Sequence, residues 1–161
     1  MSEITTTLNA IRKHTYGWEK LLTHLGKTKA DDEPLPLTVV LDSNGLDDCL
    51  WCLRAVDGYD REFRLFAVWC ARQVQHLMTN QRSIDALDVA ERYANGEATD
   101  KDLSAAWAAW AAARAAARAA ALAAVRDASA AWTAYSAAAR AARAAQESKL
   151  RELLETGEWN E

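Results

Sequence analysis

The chain is predicted to be all-α, a compact bundle of about four short helices packed on a long Ala-rich helix or helical hairpin. Three observations lead there. Apolar residues recur at three- and four-residue spacing through much of the first hundred positions, the period of a half-buried helix. A single β-branched run, Leu37-Thr-Val-Val-Leu41, competes with that pattern, and no second strand candidate is apparent to pair with it. From Ala105 to Ala145 the chain is mostly alanine, the strongest helix former, and almost every larger residue there is Trp, Tyr, Leu, Val or Arg. A chain of 161 residues has the size of one domain and can bury a core without staples.

Taken in order, Trp18, Leu21, Leu22 and Leu25 sit at helical spacing, and Gly26 is placed to end that turn. Lys27 to Pro36 is a polar connection holding both prolines. Leu37 to Leu41 reads as an extended segment or a short helix on the core. Asp42-Ser43-Asn44-Gly45 reads as a turn that also caps the next helix. That helix carries Leu46, Cys49, Leu50 and Leu53 and stops near Asp57-Gly58. Arg61 to Met78 presents Phe63, Phe66, Cys70, Val74 and Leu77 on one stripe and is expected to be the most buried helix. Ser83 is the expected cap of a helix bearing Ile84, Leu87, Ala90 and Tyr93, with Asn95-Gly96 as its stop. Thr99-Asp100-Lys101-Asp102 resembles a capping box that opens the Ala-rich region. The boundaries are therefore residues 1–98 for the short-helix core, 99–155 for the Ala-rich segment and 156–161 for the tail, all in one domain of residues 1–161.

As one rod, Asp102 to Leu154 would span about 80 Å. Arg126-Asp127-Ala128-Ser129 is its only polar interruption and offers a place for a bend or hairpin. Against a hairpin, the apolar stripe keeps its phase across this point. The tail is expected to fray, with Trp159 as the residue able to dock.

The charged residues favour neither a DNA mimic nor a nonspecific nucleic-acid binder, which weighs against a nucleic-acid partner. The net charge of −4 is spread as 11 Lys/Arg against 16 Asp/Glu in residues 1–100, 6 against 2 in 101–146 and 2 against 5 in 147–161. A DNA mimic is usually far more acidic and a nonspecific nucleic-acid binder far more basic. Cys49, Cys52 and Cys70 are odd in number and lie in helical contexts, which suits a reducing compartment better than a disulfide framework. No run spans a bilayer and no signal-peptide pattern opens the chain. The expectation is a cytoplasmic protein.

Catalytic chemistry finds little support. Cys49-Leu-Trp-Cys52 has redox and zinc spacing, but zinc needs two further ligands and only Cys70 and His76 are available. A thioredoxin-like site would need a preceding strand. His14, His24 and His76 are scattered, Asp47-Asp48 suits the dipole at a helix start, and Asp31-Asp32-Glu33 reads as a solvated loop. The expectation is no enzyme, no metal and no cofactor.

Advancing about 100° per residue brings Leu103, Trp107, Trp110, Arg114, Arg118, Leu122, Val125, Trp132, Tyr135, Arg140, Arg143, Leu150 and Leu153 onto one face. This stripe has three readings. It packs on the first hundred residues with its Arg stems snorkelling; part of it stays exposed as an anchor surface for a protein; or it meets nucleic acid. Regularly spaced Thr, as on ice-binding alanine helices, is missing, and a simple spacer is the plainest alternative. Trp107, Trp110, Arg114 and Arg118 are the candidate partner-binding residues.

Three linked motifs precede the repeats: Asn44-Gly-Leu-Asp-Asp-Cys-Leu-Trp-Cys-Leu-Arg-Ala55, Arg64-Leu-Phe-Ala-Val-Trp-Cys-Ala-Arg72, and Ala86-Leu-Asp-Val-Ala-Glu-Arg-Tyr-Ala-Asn-Gly-Glu-Ala-Thr99. Together with the Trp/Arg/Ala repeats they resemble the immunity proteins of bacterial polymorphic toxin systems, the family numbered five, over about residues 14–155. Similar chains also occur in tailed phages and prophages. This chain departs from the pattern at Cys49, where members tend to have Ala, in a shorter His14–Trp18 stretch, and in repeats with less Asp. The resemblance implies a non-catalytic immunity protein that neutralises a toxin by stoichiometric occlusion, with no residue roles to carry over. The alternatives are a phage-encoded inhibitor of a host defence system, such as an anti-CRISPR protein, and a structural, self-associating helical protein.

Overall fold

The computed structural model describes residues 3–73, 75–77, 80–105 and 129–160. Its fold is all-α with one small antiparallel sheet. Residue contacts group the chain into two units, one of Met1–Phe63 with Glu147–Glu161 and one of Arg64–Gln146.

The first unit opens with β1 (Thr5–Thr6), which pairs antiparallel with β2 (Leu35–Pro36), Thr5 opposite Pro36 and Thr6 opposite Leu35. Thr7 caps α1 (Leu8–Ile11) through its hydroxyl, which accepts the Ala10 N–H. Next come α2 (Trp18–Leu25), closed at Gly26, then α3 (Leu37–Asn44) and α4 (Leu46–Cys52), the latter running into a 3-10 turn at Leu53–Ala55. The core is aliphatic. Ile4, Leu8, Ile11, Leu21, Leu37, Val40, Leu41, Cys49 and Cys52 are all essentially sealed from solvent. It is completed by the far end of the chain, where Leu150, Leu153 and Leu154 are as deeply buried, at i, i+3 and i+4 on one helix face. Burying each such leucine contributes about 1.5–3 kcal/mol. Backbone bonds stitch the same junction: the Ile4 N–H donates to the Leu154 carbonyl (2.7 Å), and the Leu37 N–H to the Ile4 carbonyl (3.1 Å).

The second unit contains most of α5 (Asp60–Arg72), a 3-10 turn at Gln75–Leu77, α6 (Gln81–Ala94), a helical stretch at residues 100–105 (α7), and much of α8 (Ser129–Thr156). Leu65, Phe66 and Val68 of α5 and Ala86 and Leu87 of α6 are buried. Arg72 joins the two helices, donating to Asp88 and Glu91 at 2.7 Å each. Arg64 lies over the Tyr93 ring at 4.8 Å. The Thr99–Asp102 box is formed in both directions: the Thr99 N–H and hydroxyl donate to the Asp102 carboxylate, and the Asp102 N–H returns to the Thr99 hydroxyl. Along α8, every side chain from Ala139 to Gln146 is exposed or half-buried.

Several sequence expectations are corrected. Of the two forms open to the β-branched run, an extended segment or a short helix, it takes the helix, which starts directly after the paired Leu35–Pro36. A strand partner does exist, but Thr5–Thr6 is too short to show a period. Asp42, Ser43 and Asn44 belong to the last turn of α3, and only Gly45 turns the chain, at φ 87°, where other residues are strained. Asn80, not Ser83, caps α6, its side-chain oxygen accepting the Arg82 N–H at 2.9 Å. The helix from Leu46 ends earlier than Asp57. Helix α5 is not the most buried: it has three buried residues in 13, against four in eight for α3 and four in seven for α4. The tail is held by Lys149, which donates to the Asn160 carbonyl and lies 5.0 Å from the Trp159 ring. The choice between rod and hairpin at residues 126–129 falls largely outside the described residues.

Candidate interaction surface

Trp107, Trp110, Arg114 and Arg118 lie outside the described residues. Farther along the same stripe, α8 separates into two roles. Leu150 and Leu153 are core, whereas Arg140 and Arg143 are exposed. The stripe is therefore not one surface. Its C-terminal end anchors the helix, and its arginines farther up face solvent.

A second group of large side chains comes together in the first unit. It grows from Asp48, a residue the dipole argument had explained as helix-start charge alone. The carboxylate is 6 % exposed and accepts four hydrogen bonds: from the Thr15 hydroxyl, the Tyr16 N–H (2.7 Å), the Gly17 N–H (3.3 Å) and the Asn44 side-chain amide. Burial opposes its charge, but these donors more than offset that and hold its pKa below the ordinary aspartate value. The network fixes loop 14–17 against the start of α4. Gly17 is required there by space: a Cβ would sit 2.6 Å from the Asn44 amide nitrogen. That nitrogen cannot yield freely, since it also donates to the Gly17 carbonyl.

The outcome is an exposed ring held at a fixed place. Tyr16 is 77 % exposed, yet its backbone is tied to Asp48 and its ring lies 5.7 Å from that of Trp51. Arg54, one turn beyond Trp51, sets its guanidinium 3.6 Å from the centre of the indole. Tyr16, Trp51 and Arg54 thus form a short ledge of two rings and a cation. The sequence pattern did not reveal it, because the His14–Trp18 loop has no period and Trp51 reads as the edge of a core stripe. The three-residue steps from Asp48 to Trp51 to Arg54 were the available signal.

The cysteines are structural in their setting. The Cys49 thiol donates to the Leu37 carbonyl (3.6 Å) and the Cys52 thiol to the His14 carbonyl (3.3 Å). Burial pushes all three thiols up, Cys52 to about 12 and Cys70 to about 11, away from the thiolate form that redox or metal chemistry uses. Among the described residues no group of three His, Cys, Asp or Glu side chains is placed to hold a metal ion. A shallow depression is lined by Glu19, Lys20, Thr23, His24, Asp42 and Ser43; Asp42 is already engaged by Arg151, and His24 has no hydrogen-bond partner among the described residues. No described helix is long and apolar enough to cross a membrane. Comparison with family models, with curated proteins and with solved structures gives no match in any of the three.

Proposed function

We propose that this protein is a non-catalytic, cytoplasmic inhibitor that neutralises a protein toxin by stoichiometric occlusion, as the motif resemblance implies. The observation that carries the reading is the stripe of Trp and Arg on an alanine background. Trp and Arg dominate the energetics of protein interfaces, and the sequence sets them on small alanine neighbours. The solvent-facing Arg140 and the buried Leu150, Leu153 and Leu154 support it, since the helix is held at one end by a core. Trp107, Trp110, Arg114 and Arg118 are the proposed contacts.

The test is protection: cells expressing a polymorphic toxin are expected to survive when this chain is co-expressed, and a toxin gene beside this one is the expected genomic setting. The double variant Arg114→Glu/Arg118→Glu is expected to weaken binding by at least about 2 kcal/mol and to reduce protection, with helical content unchanged. Equal protection by the double variant removes those arginines from the interface. The second reading, which the motif resemblance also suggests, is a phage-borne inhibitor of a host defence system. It uses the same occlusion, and a target among defence proteins distinguishes it.

A further inference from the structure

We infer that the Tyr16–Trp51–Arg54 ledge is a second binding surface, independent of the alanine-rich stripe, that takes a carboxylate-bearing segment of another protein. Three features carry this. The ledge is ordered in advance, because the Tyr16 backbone is bonded to a buried carboxylate and Gly17 admits no larger residue. A backbone held this way has less freedom left to lose on binding, and the Tyr16 ring lies beside that of Trp51. Its cation is available: Arg54 is exposed and makes no ion pair among the described residues, and its guanidinium, a group whose N–H donors suit a planar carboxylate, lies against Trp51. Arg12 and Lys13, a few residues before Tyr16, are exposed and likewise unpaired among the described residues.

The local charge favours a protein over a nucleic acid. Arg54 against two rings, with Arg12 and Lys13 a few residues before Tyr16 in the chain, matches one or two carboxylates beside an apolar side chain. A polyphosphate strand instead needs a continuous positive groove. Here Glu19, Asp47 and Asp57 lie within a few residues of the ledge, Asp47 on the same helix and already engaged. These acids weigh against a continuous positive groove.

The test is a titration of the full-length, isotope-labelled chain followed by NMR at the Tyr16 amide, the Trp51 indole N–H and the Arg54 side-chain N–H. The probes are an end-blocked Glu-Leu-Glu-Leu-Glu peptide, its Lys-Leu-Lys-Leu-Lys counterpart and an oligothymidylate of about ten nucleotides. The acidic peptide is expected to move the three signals together, with half-saturation near or below about 1 mM. Arg54→Glu is expected to weaken that binding about tenfold or more, and Tyr16→Ala several-fold. Both side chains are exposed, so the folded spectrum should be retained. Equal response to the lysine peptide, a stronger response to the oligothymidylate, or no movement of the three signals would each overturn the proposal.

Discussion

Asp48 shows how much depends on one carboxylate. Its folded-state pKa is depressed, so its contribution to stability is fully present above the unfolded value of about 3.9 and is lost as pH falls through the lower, folded value. The urea midpoint of the wild-type chain should therefore drop as the solution is acidified below about pH 4. Asp48→Asn should lose stability at neutral pH and show a smaller drop over that acid range. Gly17→Ala is expected to cost about 1–3 kcal/mol, because Asn44 cannot make room without breaking bonds to Asp48 and to Gly17 itself. Thr6 offers the opposite sign. Its hydroxyl is buried without a partner among the described residues, so Thr6→Val should raise stability by up to about 1 kcal/mol; an unchanged or lower melting temperature would mean that the hydroxyl is satisfied. Sequence spacing located Asp48 at a helix start and stopped there. Three of its four donors sit about thirty positions away, and no periodicity connects them.

At the scale of elements, the alanine-rich helix is held by leucines and not by charge. Leu153→Ala should cost about 2–5 kcal/mol. Arg151→Ala should cost less than about 1 kcal/mol, since its ion pair with Asp42 is largely open to solvent. Comparable losses from both would contradict this division. Helix starts and stops were legible wherever local chemistry fixes them, as at Gly26, Asn95-Gly96 and the Thr99–Asp102 box. They stayed open where a distant contact decides: Leu37–Leu41 fits an extended segment or a short helix by composition, and it is a helix that follows the pairing of Leu35–Pro36 with Thr5–Thr6. Helix α5 has the richest apolar stripe yet fewer buried residues than α3 and α4, because burial depends on which neighbours arrive.

For the whole molecule, the all-α class followed from composition and period, both of which act locally. The joining of residues 147–161 to residues 1–63 did not, because Leu150 and Leu153 keep the phase of the Trp/Arg stripe and look like its continuation. The candidate site was legible in part: the stripe pointed to binding, while the Tyr16–Trp51–Arg54 ledge needed the folded loop to appear. The decisive measurement is capture of the tagged chain from host lysate, with and without phage infection, followed by light scattering of the purified complex. An inhibitor acting by occlusion should hold one protein partner at a fixed, stoichiometric ratio. Recovery of self-associated chains alone, growing with concentration and without any foreign partner, would contradict it and assign the alanine-rich helix a structural role.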